Sequence, residues 1–138
     1  MDELRKRAHD ALEEAYTPYS EYPVGVALRV ADGTVYTGCN IENANYSNSL
    51  HAEEVAIGKA VSDGHQEFDT LAVVSESRDG LTPCGMCRQT LAEFCEEAFE
   101  IVTDTGEEQP IYTLGELLPD TISADQLADA ATQREEQR

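Results

Sequence analysis

Leu4, Ala8, Ala11, Leu12 and Ala15 recur at the spacing of one helix face, and Pro18 predicts that this helix stops soon after Tyr16. The period then changes. Val24, Val26, Leu28 and Val30 alternate as on a strand, "ADG" predicts a turn and "TVYTG" a return strand, so residues 24–38 read as a hairpin. "NIENANYSNS" reads as a loop; its amides suit turns, and beside a helix start they could also line a site. Residues 52–63 read as a helix closed by Gly64, "TLAVVS" (70–75) as a short apolar strand, and Gly85 to Phe99 as a second helix with Leu91, Phe94 and Cys95 facing inward. "EIVTD" and "PIYTL" supply two further short strands. Ser123 with Gln126 resembles a capping box and Ile122 with Leu127 its hydrophobic staple, opening a last helix whose tail, 129–138, is expected to fray. Strands alternating with helices predict an α/β sheet covered on both faces, in one domain spanning residues 1–138.

Composition narrows this picture. With 138 residues, 41% hydrophobic and 27% charged, the chain can bury a core without disulfide staples. Its apolar runs fall far short of the ~18 residues of a membrane helix, and "MDELRKRAHD" has no apolar stretch behind it, so a cytoplasmic protein is the default expectation. The net charge of −19, from 28 acidic and nine basic residues, argues against nucleic acid or an anionic membrane as partner. The same charge points to adaptation to high intracellular salt, where self-repulsion is screened, or simply to an acidic soluble protein.

The chemistry lies in two short stretches. "TPCGMCRQ" places Cys84 and Cys87 at i and i+3, on one face of a helix, with Pro83 putting both in or beside its first turn. The positive end of the helix dipole there favours thiolates, the form that binds metal. C-x-x-C alone leaves redox, metal and chance open, and two ligands do not hold zinc. Of the three histidines, His9 and His65 are expected to be exposed rather than ligating. His51 opens "HAEEVAIGKA" with Glu53 two residues beyond, so the pair must straddle a helix start. The ordered combination H-A-E, then P-C-x-x-C, matches the signature of zinc-dependent nucleobase deaminases. In that chemistry zinc brings the pKa of water to about 7, and a carboxylate that is not a ligand, here Glu53, moves the protons.

With these motifs in view, the chain resembles the cytidine deaminase family in its short, homotetrameric form, from Ala15 to Pro119. The stretches that carry the likeness are "AYTPYSEYPVGVAL", "GCNIENANY", "HAEEVAIGKAV", "PCGMCRQTLAEF" and "GELLP". The resemblance implies a three-layer α/β/α fold around a mixed five-stranded sheet, and hydrolysis of cytidine and deoxycytidine to the uracil nucleosides and ammonia in pyrimidine salvage. It implies one Zn2+ per subunit held by His51, Cys84 and Cys87, with Glu53 catalytic. It assigns Asn40 and Glu42 to the ribose hydroxyls, the Ala52 backbone and the Thr82 carbonyl to the base edge, and Tyr22 to the side of the base or, equally, to core packing. Tyr46 would reach a neighbouring subunit's site, or simply pack within its loop; Arg88 would donate to a thiolate or else occupy a plain surface helix position, and Cys39 and Cys95 would be buried thiols. Two departures stand out. Short-form members carry Cys where this chain has His51 and Arg where it has Glu54; a neutral ligand removes surplus charge, so position 54 is freed or merely faces solvent. Their aromatic after L-L-P is replaced by Ile122. The other readings are a deaminase of another aminopyrimidine nucleoside, such as a nucleoside antibiotic, and a non-catalytic zinc domain, which would need a fourth protein ligand.

Overall fold

A computed structural model describes residues 2–104 and 110–137. In chain order the elements are α1 (Asp2–Ala11), a 3-10 turn (Leu12–Glu14), β1 (Gly25–Val30), β2 (Val35–Cys39), a second 3-10 turn (Tyr46–Asn48), α2 (Ala52–Ser62) and β3 (Phe68–Val74). Then come α3 (Gly85–Phe94), β4 (Glu100–Thr103), β5 (Ile111–Thr113), α4 (Leu114–Leu117) and α5 (Ala124–Glu136). Among the described residues five strands form one sheet in the order β2-β1-β3-β4-β5. Only the β3–β4 pair is parallel, so the sheet is mixed.

Both faces of the sheet are covered. Val26, Leu28, Val30, Leu71, Val73 and Ile101 pack under α2 and α3, against Ala56, Ile57, Ala60 and Leu91. Ala27, Ala72, Val74 and Val102 point the other way, against Leu4, Ala8 and Leu12 of α1 and the turn after it. The small residues of β1 and β3 thus receive α1, and the larger ones face the two-helix layer. Each fully buried Leu, Ile or Val contributes roughly 1.5–3 kcal/mol. The three-layer expectation is met, and β1, buried on both faces, hides the alternation expected of a half-exposed strand.

Several boundaries differ from the sequence expectations. The first helix leaves α-geometry at Ala11 rather than Tyr16, because Tyr16 pairs with the chain at Asn40 and Glu42. α3 stops at Phe94 rather than Phe99. Cys95 is extended, and Phe99 is drawn down into the core to start β4 beside β3. Helical period cannot distinguish that return from one more turn. "PIYTL" is shorter as a strand because Thr113 caps α4 with Glu116, a capping box that sequence reading passed over. The Ser123–Gln126 box forms as expected, yet Ile122 and Leu127 remain 53% and 61% exposed and bury little of each other. α5 is helical through Glu136, including most of the segment expected to fray, and none of its described residues is buried. His9 and His65 are half-buried rather than exposed, each against an aspartate: His9 Nε2 lies 2.5 Å from Asp104, His65 Nε2 3.9 Å from Asp32. No helix among the described residues is long and apolar enough to cross a membrane.

Candidate active site

His51 is the N-cap of α2, with extended backbone at φ −79° and ψ 150°, while Glu53 lies inside the first turn. That break in conformation lets two residues at i and i+2 face one point, which a continuous helix forbids. Cys84 is likewise the N-cap of α3 and Cys87 its third residue. The two N-termini meet: His51 Nδ1 lies 3.2 Å from Cys84 Sγ and 3.4 Å from Cys87 Sγ. These three form the one metal-ligand group found among the described residues.

The donor set fits zinc. Zn–S and Zn–N bonds of about 2.3 and 2.0 Å at tetrahedral angles require S···N edges of about 3.5 Å, close to those separations. The electrostatics agree. Burial, followed by the charge of Glu53, pushes the Cys87 thiol well above its ordinary range. Two acids are crowded together, and a divalent cation is the charge that lets the thiolate form there. Glu53 is only 4% exposed, and burial raises its carboxyl pKa, with a Cys87 hydrogen bond pulling the other way.

Above this cluster opens a cavity of about 600 Å³. His51, Glu53 and Cys84 line it, with Ala52 at the start of α2 and Thr82 just before α3. Val24, which the sequence marked only as a strand position, and Leu50 and Leu81, which sequence reasoning did not single out, add apolar surface, and Tyr22 is half-buried among the lining residues. Tyr46, 74% exposed, meets Tyr19 edge-to-face at the rim with ring centroids 6.0 Å apart.

Asn40 and Glu42 also line the cavity, but both already brace the strap that precedes β1. Asn40 accepts the Val24 N–H and donates to the Tyr22 carbonyl, each at 2.9 Å. Glu42 accepts the N–H groups of Tyr19 and Ser20, both at 3.0 Å, and the Ser20 hydroxyl. The Ser20 hydroxyl, chief among these donors, holds the Glu42 carboxyl below the usual carboxylate range.

Three expectations are corrected here. Arg88 does not reach a thiolate; it donates to the Pro83 and Leu117 carbonyls at 2.7 Å and to Thr82 Oγ1 at 3.0 Å. The end of α4 leaves unpaired carbonyls, and the guanidinium fork satisfies one of them while fastening the loop that carries Thr82. Glu54 does not merely face solvent: half-buried, it accepts the backbone N–H of His51 at 3.0 Å, three residues back, so the position freed from serving a thiolate has a different task. The offset is that of a capping box, hidden in the sequence because histidine is an unusual N-cap. Cys39 and Cys95 are free thiols but only partly buried.

A family model described as the cytidine and deoxycytidylate deaminase zinc-binding region matches residues 1–103. The chain belongs to that family. It is 44% identical over 134 residues to a cytidine deaminase of Sporosarcina psychrophila, covering 96% of this chain and 98% of the relative. A crystal structure of cytidine deaminase from Burkholderia pseudomallei superposes with a TM-score of 0.82 at 39% identity, covering 88% of this chain and 98% of that one. More distant is a blasticidin-S deaminase of Bacillus cereus, 32% identical over 108 residues, which span 72% of this chain and 76% of the relative. The family resemblance read from the sequence is thereby established, together with its zinc and its α/β fold.

Proposed function

We propose that this protein is a zinc-dependent cytidine deaminase, hydrolysing cytidine and deoxycytidine to the uracil nucleosides and ammonia. The observation that carries the reading is the convergence of His51, Cys84 and Cys87 beside buried Glu53 at the wall of a nucleoside-sized cavity. Zinc held by this triad supplies the Lewis acidity that makes water a nucleophile near neutral pH. Glu53 takes the two protons of the attacking water in turn, passing one to the ring nitrogen and the other to the departing amine, so that the water oxygen remains as the uracil carbonyl and ammonia leaves. A carboxyl raised by burial suits both directions of transfer.

Around this centre the Ala52 backbone and Thr82 carbonyl face the base edge, and Tyr22 lies beside the base. Asn40 and Glu42 receive the ribose hydroxyls. Tyr46 belongs to a contact with a neighbouring subunit in a cytoplasmic homotetramer; its 74% exposure beside the cavity supports that reading. Packing four chains of charge −19 multiplies repulsion, so the assembly should tighten with salt. A purely structural zinc domain is disfavoured, since the described residues offer three convergent ligands, not four, and Glu53 would be buried to no purpose.

The test is an ultraviolet assay on purified protein with cytidine, deoxycytidine and blasticidin S supplied separately in zinc-replete, high-salt buffer. Turnover of the two pyrimidine nucleosides far above that of the antibiotic supports the proposal. Turnover of blasticidin S alone would transfer the chain to the antibiotic-deaminase reading.

A further inference from the structure

We propose that Ser20 is a positioning residue that sets how strongly this site recognises the sugar hydroxyls of its substrate, by fixing the one free acceptor direction of Glu42. The inference rests on the reading above that Glu42 receives a ribose hydroxyl.

The argument is a count of lone pairs. A carboxylate offers two oxygens and about four acceptor sites. Glu42 Oε1 accepts two backbone N–H groups, those of Tyr19 and Ser20, and Oε2 accepts the Ser20 hydroxyl. One site therefore remains, on Oε2, and its direction is complementary to the Ser20 hydroxyl. Ser20 is itself held, because its Oγ accepts the Tyr22 N–H at 3.1 Å, which leaves the hydroxyl proton committed to Glu42.

The backbone reinforces this arrangement. Glu21, between Ser20 and Tyr22, sits at φ 55°, a left-handed conformation that a residue with a side chain adopts at a cost. Its N–H bonds the Thr17 carbonyl at 3.0 Å, and Asn40 ties down Tyr22 and Val24 immediately beyond. A strained turn pinned on both sides holds Ser20 against Glu42 before any ligand arrives, which is the pattern of a preorganised site. None of the hydrogen bonds Ser20 makes in this network involves the His51–Cys84–Cys87 cluster. Removing its hydroxyl leaves Glu42 attached through Oε1 alone, free to pivot; the zinc ligands lose no contact, and Tyr22, which loses the acceptor of its N–H, stays tied through its carbonyl to Asn40.

Calorimetric binding of the product uridine and of 2′,3′-dideoxyuridine, which lacks the 2′ and 3′ hydroxyls and keeps the 5′ hydroxyl, separates these effects. On the zinc-loaded protein, Ser20→Ala should weaken uridine binding about tenfold, as expected for losing the orientation of a charge-assisted hydrogen bond. Dideoxyuridine affinity and zinc content should stay within twofold. Ser20→Thr, which restores a hydroxyl at the same position, should recover most of the uridine loss, and Glu42→Gln should lose uridine selectively. If Ser20→Ala weakens both ligands equally, or Ser20→Thr fails to recover uridine binding, Ser20 is a structural residue and the inference is overturned. If Glu42→Gln is selective for uridine while Ser20→Ala is neutral, the inference falls and the ribose reading of Glu42 stands. If Glu42→Gln affects both ligands equally, that reading falls too.

Discussion

Replacing Gly38 with alanine should damage the active site from behind. Gly38 lies on β2, and a Cβ there would sit 2.2 Å from the Ala52 carbonyl oxygen and 2.8 Å from the Ala56 nitrogen, both backbone atoms of α2. Backbone cannot rotate aside as a side-chain tip can. To reach an ordinary contact of 3.4 Å, α2 must withdraw by about 1.2 Å, the difference between 3.4 and 2.2. His51 and Glu53 flank Ala52 and move with it, while Cys84 and Cys87 stay on α3. The 3.2 and 3.4 Å separations that fit zinc would therefore open. A displacement of about 1 Å at reacting groups costs roughly 10²-fold in turnover, and overpacking costs about 1–3 kcal/mol of stability. That loss lowers Tm by roughly 3–10 °C in a chain of this size. Gly58→Ala is the control. It lies on the same helix with nothing within 4 Å of its added Cβ, so it should stabilise by up to ~1 kcal/mol and leave turnover unchanged. The readouts are kcat/KM by absorbance, Tm by calorimetry and zinc by elemental analysis. Gly38→Ala protein with turnover within threefold of the parent and an unchanged Tm would refute the claim that this glycine seats the catalytic helix.

Glu53→Gln should keep zinc and fold but lose at least 10²–10⁴-fold in kcat, since one carboxyl serves several proton transfers; kcat within threefold of the parent would remove its assigned role. Glu54→Ala should leave the His51 N–H without its cap, cost about 1 kcal/mol, and weaken zinc retention in a chelator-competition titration. Equal zinc affinity in parent and variant would show that the cap does not serve the ligand. Burial pushes the Cys95 thiol up to about 12 from 9.0, so between those values the folded chain keeps a proton that the unfolded chain releases. Stability contributed by the neutral thiol is complete below pH 9 and lost as pH rises toward 12. Cys95→Ala should flatten this alkaline limb in urea melts, and a parent–variant difference that stays constant from pH 8 to pH 11 would contradict it.

The parts of the site legible in the sequence are those fixed by local order. "HAE" and "PCGMC" each mark a helix start, and a helix start dictates where its first residues point, so the convergence of His51 with Cys84 and Cys87 was foreseeable once the motifs were paired. The strands were legible too, because alternation and turn residues are local signals, whereas their mixed five-stranded arrangement was implied by the family resemblance. What stayed hidden depends on contacts between distant segments. Arg88 follows a ligand in the chain, yet its partners are the Thr82–Pro83 loop and Leu117, which only the fold brings near. Asn40 and Glu42 read as ligand-facing polar residues, and nothing in their spacing reveals that their own side chains already hold residues 19 to 24. The end of α3 at Phe94 is likewise set by the need to bring Phe99 into the core, not by any breaker in "CEEAFE". Glu54 is the intermediate case. Its offset from His51 was visible, but its meaning required knowing that His51 is the N-cap.

The central claim is that deamination runs through zinc held by His51, Cys84 and Cys87, and metal depletion tests it most directly. As purified, the protein should contain about one zinc ion per chain by elemental analysis, as a three-ligand catalytic site requires. Cytidine turnover should disappear on exhaustive chelation and return on adding zinc, while a Cys87→Ala variant treated in the same way neither retains zinc nor recovers. Full cytidine turnover by metal-free protein, or full activity of the Cys87→Ala variant, would contradict the account.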